Sequence, residues 1–189
     1  MSNEQNREGT ETSMQSDVDL LERSKSGDAS AFKQLVIRHE RRVAGVVYSM
    51  LGRTPEAEDV GQEVFIRFYQ SLDKFKGDSA LSTYLIRIAI NLSLNEIRKR
   101  KRNNALFVSE EAGQNSKAPE VNQDTKDMVQ YELKKLDPDF QSVVTLRLIE
   151  GYSTEETSEI LGIPLGTVLS RLSRAQKKLK SVLAKYMEA

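Results

Sequence analysis

The sequence has no cysteine, one histidine and four prolines in 189 residues. Without cysteine there is no disulfide framework, no thiolate metal site and no thiol redox chemistry. A lone His39 argues against a His-based zinc site and against a catalytic triad. No run of 18 apolar residues occurs, so no membrane span is expected. The N-terminus lacks the apolar core of a signal peptide, which predicts a cytoplasmic protein. Net charge is also missing, with 28 basic and 28 acidic side chains. This length admits one large domain or two small ones.

The zero balance hides an uneven distribution. Residues 87–102 carry Arg87, Arg98, Lys99, Arg100, Lys101 and Arg102 against Glu96, a net of +5. Residues 103–163 carry twelve acids and five bases, a net of −7. Residues 164–189 carry six bases against Glu188, again +5. Two basic patches flanking an acidic stretch suit two nucleic-acid-facing surfaces, with other faces left for acidic contacts.

The most informative stretch is Ser153–Leu183. Ser153 followed three residues on by Glu156 has capping-box form and starts a short helix. Gly162 stands where that helix must reverse, and Pro164 fits the start of a second helix. In the second helix Val168, Leu172, Ala175, Leu179 and Val182 make one apolar stripe. Thr167, Ser170, Arg171, Arg174 and Lys178 fall largely on the other side. Two helices, a glycine turn and a basic outer face fit the major groove of B-DNA. An ordinary amphipathic hairpin with a solvated charged face is the alternative, but such a face usually mixes the signs.

The remainder is helical in pattern, with no strand-like alternation and no repeat, so the fold class is all-α. Residues 1–16 are polar and aperiodic, the composition of a disordered tail. Asp17–Ser26 predicts a short helix closed by Gly27, and Asp28 caps a longer one to about Leu51. Thr54 and Pro55 start a third helix to about Leu72, which opens with Glu56, Glu58 and Asp59 and adds Gln62 and Glu63. Three readings of that acidic cluster stay open: a dipole-stabilised solvated turn, a magnesium site and a docking surface. No histidine or phosphate-cradling glycine loop accompanies the acids. Ser79 is placed to cap a fourth helix over about 80–101, apolar on two sides and therefore packed on two sides. Its remaining strip holds Arg87, Asn91, Asn95 and Arg98, either a solvent stripe or a nucleic-acid track. Residues 103–125 read as a linker; fully extended, 23 residues span about 75 Å, close to the roughly 70 Å of two turns of B-DNA. The second domain occupies 126–189, with Val129, Leu133 and Leu136 inward. Asp137-Pro138 then starts a helix bearing Phe140, Val143, Val144, Leu148 and Ile149.

AEDVGQEVFIRFYQSLDKFKGDSALSTYLIRIAINLSLNEIRKRKR (57–102) and LDPDFQSVVTLRLIEGYSTEETSEILGIPLGTVLSRLSRAQKKL (136–179) together resemble an extracytoplasmic-function (ECF) sigma factor, the small two-domain branch of the bacterial sigma-70 family. The resemblance covers about residues 17–184. It implies a four-helix region 2 domain at 17–102 and a helix-turn-helix region 4 domain at 126–189. By that likeness Glu56, Glu58, Asp59, Gln62 and Glu63 would dock on the β′ clamp helices of RNA polymerase core. Phe75, Lys76, Ser79, Tyr84, Arg87, Asn91, Asn95 and Arg98 would meet the minus-10 element. Thr167, Ser170, Arg171, Arg174 and Lys178 would meet the minus-35 element, and the second domain would also touch the β flap. The resemblance further implies promoter DNA and an anti-sigma factor as partners, no cofactor and no catalytic residue. Five positions depart from the family pattern: Gly61 inside the docking helix, Tyr84 where Trp is usual, Thr157 and Ser158 in place of an aliphatic residue and Ala, and Leu169 where Lys is common. The main rival is a helix-turn-helix regulator working with another sigma factor. A metal-dependent nuclease using the acidic cluster and a structural nucleic-acid packager are more distant alternatives.

Overall fold

The computed structural model describes residues 16–77, 79–108 and 131–187. Its regular elements are helices: α1 Asp17–Lys25, α2 Ala29–Leu51, α3 Pro55–Gln70, α4 Leu81–Val108, α5 131–135, α6 Pro138–Val144, α7 Thr154–Leu161 and α8 Leu165–Met187. A 3-10 turn at Leu72–Lys74 follows α3 closely, and a π-helical turn at Thr145–Ile149 follows α6. The all-α class expected from the pattern is the one found.

Local chemistry sets most helix starts. Asp28 accepts from the backbone N–H groups of Ser30 and Ala31. Thr54 accepts from Ala57 at 3.3 Å, with Pro55 in the first helical position. Ser153 and Glu156 form the reciprocal capping box, at 3.1 and 2.7 Å. Ser16, at the edge of the polar tail, forms another with Asp19. Two expected caps differ. Asp137 precedes α6 without a side-chain cap bond. The first helical bond of α4 runs from Tyr84 N–H to the Ala80 carbonyl, so Ser79 lies one residue too early.

Helix α4 continues to Val108, six residues past the expected domain edge. Asn103–Val108 holds neither glycine nor proline, so nothing there stops a helix already nucleated by packing. The rest of the expected linker, the start of the second domain through Gln130 and the tail before Ser16 lie outside the described residues.

In the first domain α4 packs on α2 and α3, and α1 closes over α2. Leu20, Leu35, Val46, Met50, Phe68, Leu85 and Ile90 are among its buried side chains. Phe68 meets Phe32, Phe75 and Tyr84 with ring centroids 5.8–6.3 Å apart. The second domain has a small core of its own: Leu133, Leu136, Val144 and Ala175, flanked by Phe140, Leu172 and Leu179. Its Leu146, Tyr152 and Ile160 instead join the core of the first domain, so the two domains are packed together. Polar bonds cross the seam. Gln141 Nε2 donates to the Met50 carbonyl at 2.8 Å, and Ser49 Oγ donates to Glu150 Oε1 at 3.1 Å. The Arg42 guanidinium lies 5.0 Å over the Tyr152 ring. Gly45 makes room here, since a Cβ on it would sit 3.3 Å from the Glu150 carboxylate.

The π-helical turn changes one expectation. Glu150 N–H bonds to the Thr145 carbonyl, five residues back, at 2.9 Å. The extra residue in that turn rotates Leu148 and Ile149 out of the apolar stripe, and both are exposed.

Candidate nucleic-acid interface

The turn between α7 and α8 is built as its sequence requires. Gly162 has φ +64°, the left-handed region that glycine adopts without strain. Ser158 Oγ donates to the Ile163 carbonyl at 2.6 Å and staples the turn, while the neighbouring Thr157 hydroxyl is buried without a partner. Pro164 sits just before α8 and its carbonyl accepts from Thr167 and Val168. Val168 and Ala175 are buried against α6 and α7, with Leu172 and Leu179 beside them. The outward face offers Leu165, Gly166, Leu169, Ser170, Ser173, Arg174, Lys177 and Lys178 to solvent.

Of the residues expected to face DNA here, Ser170 and Arg174 are exposed and Thr167 is half-buried. Arg171 Nη2 donates to Asp139 Oδ2 at 2.6 Å and ties α8 to α6. Lys178 is exposed, its ammonium 5.6 Å from the Phe140 ring.

A second basic surface lies on the first domain. Lys74, Phe75, Lys76, Gly77, Ser79, Tyr84 and Arg87 line a hollow of about 180 Å3. Phe75 forms a wall of it, only 8 % exposed and 4.9 Å from the Tyr84 ring. The Tyr84 hydroxyl is 3.1 Å from Ser71 Oγ. Asn91, Asn95 and Arg98 continue from Arg87 along the exposed strip of α4. Arg87 Nη2 donates to the Glu159 carbonyl of α7 at 2.7 Å, so the helix-turn-helix holds one end of this strip.

The acidic cluster divides. Glu56 pairs with Arg100 at 3.2 Å. Hydrogen bonds from its own backbone N–H and from Thr54 hold its carboxyl below the usual range. Glu63 accepts from Arg67 Nε at 2.8 Å. Glu58, Asp59 and Gln62 are exposed beside a groove of about 350 Å3 between α2 and α3, with Gly61 in its lining. Among the described residues no three carboxylate or imidazole groups converge as a metal site would require. The sequence reading missed Ile66 and Tyr69, two exposed apolar residues on α3. Their signal was periodicity: Asp59, Gln62, Ile66 and Tyr69 recur every three or four residues.

A helix-turn-helix with a basic second helix, joined to a helical domain with its own basic strip, has the architecture of a DNA-binding protein. Residues 35–103 match the family described as Sigma-70 region 2, and residues 126–179 match Sigma-70, region 4. The RNA polymerase sigma-H factor of Pseudomonas aeruginosa is 33% identical, the match covering 88% of this chain and 93% of the relative. The ECF RNA polymerase sigma-E factor of Escherichia coli is 36% identical, over 85% of this chain and 90% of the relative. Among solved structures, CnrH in complex with the cytosolic domain of CnrY is similar at TM-score 0.68 and 28% identity, covering 89% of this chain and 97% of that one. The sigma factor RpoE in complex with the anti-sigma factor NepR from Bartonella quintana is similar at TM-score 0.65 and 25% identity, covering 81% and 96%. The chain belongs to the sigma-70 family and is an ECF sigma factor, acting in transcription initiation with RNA polymerase and promoter DNA. Among the described residues no helix is long and apolar enough to cross a membrane.

Proposed function

We propose that the three faces divide the work of initiation. The outward stripe of α3, Asp59, Gln62, Ile66 and Tyr69, docks on the polymerase core, with Glu56, Glu58 and Glu63 at its acidic edge. The hollow at Lys74–Arg87 and the strip Asn91, Asn95 and Arg98 meet the minus-10 element, where bases drawn from the stack need a walled pocket and polar edges. Helix α8 meets the minus-35 element with Ser170 and Arg174, Thr167 flanking them; Arg171 supports it from Asp139. The chain itself carries no catalytic step and works in the cytoplasm, and the chemistry belongs to the polymerase.

The observation that carries this reading is the bond from Arg87 to the Glu159 carbonyl. That bond turns onto α7 the guanidinium this reading gives to the minus-10 element, so the reading takes the described arrangement as a closed form that opens on the polymerase. The neighbours CnrH and RpoE are each described in complex with a partner, CnrY and the anti-sigma factor NepR. An anti-sigma factor that keeps this chain closed fits the same geometry. Transcription in vitro tests the reading: purified chain plus core polymerase should start at a defined site with no other sigma factor present. A requirement for a second sigma factor would favour the regulator instead.

A further inference from the structure

The first two turns of α8 carry no charged side chain before Arg171, and the basic residues Arg174, Lys177, Lys178 and Lys180 follow it. A major-groove helix reads bases from its N-terminal turns. The outward residues there are Leu165, Gly166, Leu169 and Ser170. Leu165 is 42% exposed and Leu169 50%, and their spacing of four puts them on one flank of the helix. Neither is buried. Gly166 lies between them, and a Cβ built on it would meet nothing within 4 Å. Packing therefore gives no reason for a helix-weakening glycine at that point, whereas a surface approaching from outside does.

In the major groove a thymine shows an apolar 5-methyl group beside its O4 acceptor, and no other base shows a methyl. An apolar flank with a glycine gap, continuous with a basic stretch suited to phosphates, matches that group. We propose that Leu165 and Leu169 read thymine methyl groups in the upstream promoter element. The proposal rests on α8 being the minus-35 helix and adds what that helix selects. Leu169 discriminates by burying a methyl group rather than by a hydrogen bond, so specificity at its position is apolar.

The test uses full-length chain assembled with core polymerase. Upstream sequences are first selected from a randomised template by the transcripts they yield. Each thymine of the selected element is then replaced by deoxyuridine, which removes only the methyl. Initiation should fall about fourfold at one or two positions, the worth of one buried methyl-sized group. Leu169→Ala should lose that sensitivity at one of them, and Leu165→Ala at the other. Leu169→Arg should exchange the preference for guanine. Selected elements without thymine, or equal transcription from thymine and deoxyuridine at every upstream position, would overturn the proposal while leaving α8 as the reader. Failure to select any upstream sequence would remove the assignment of α8 itself, and the proposal with it.

Discussion

Asp59 stands in water and Thr157 is fully shielded from it, and each carries a prediction of opposite kind. Asp59 is exposed on the outward stripe of α3, so Asp59→Arg should leave the helical spectrum unchanged. It should lower binding to core polymerase roughly tenfold or more, because a reversed charge at a docking face repels its partner. Pull-down of core enzyme at equal affinity would return the acidic cluster to a solvated turn. Thr157 has 0% exposure and a hydroxyl with no hydrogen-bond partner. A buried unmet donor costs about 1–3 kcal/mol. Thr157→Val keeps the shape and removes the hydroxyl, so it should raise the melting temperature by a few degrees, about 2–4 °C per kcal/mol at this size. Thr157 was visible in the sequence as a departure from the family pattern, but its lack of a partner was not. That depends on what α4 and α8, the helices packed on α7, place around it.

Between neighbouring helices the caps do the local work, and here the sequence was most readable. The capping box at Ser153, the left-handed turn at Gly162 and the Thr54-Pro55 start all follow from residues within four positions of one another. Ser153→Ala should cost about 1 kcal/mol and loosen α7 under α8, seen as faster amide exchange in both helices. Asp28 caps α2 and also receives Arg23. The Arg23 hydrogen bond first, then that of Ala31, hold its carboxyl below the ordinary 3.8. A depressed folded value means the contribution is present above the ordinary value and lost as pH falls through the lower one. Thermal unfolding should therefore show a loss below about pH 4 that Asp28→Asn reduces, since Asn caps without titrating. Where an element depended on distant partners, the sequence was silent. The sequence gathered Leu148 and Ile149 with the apolar residues of one helix, and a π turn leaves both exposed. Basic charge marked Arg171 as a reader, and Asp139, 32 positions away, holds it.

Across the whole molecule, two domains expected on a loose tether lie against each other, and nothing local announces that seam. Gln141 and Met50 are 91 positions apart, and no spacing rule links them. Gln141 is 2% exposed, and its amide meets a carbonyl at the C-terminal end of α2, where helical carbonyls lack partners. Gln141→Ala leaves that carbonyl buried and unmet, at about 1–3 kcal/mol, when the domains are closed. When they are open, water satisfies it. The substitution should thus shift the balance toward the open form by about 5- to 150-fold. The absence of native cysteine makes the measurement direct, because single cysteines for spin labels can be placed at exposed Lys101 and Gln176 without competing sites. The doubly labelled chain should give one narrow distance distribution, and adding Gln141→Ala should add a second population. The same variant should bind core polymerase more tightly if closure competes with docking. An unchanged distance distribution would mean that the apolar contacts of Leu146, Tyr152 and Ile160 hold the domains together and the Gln141 bond does not.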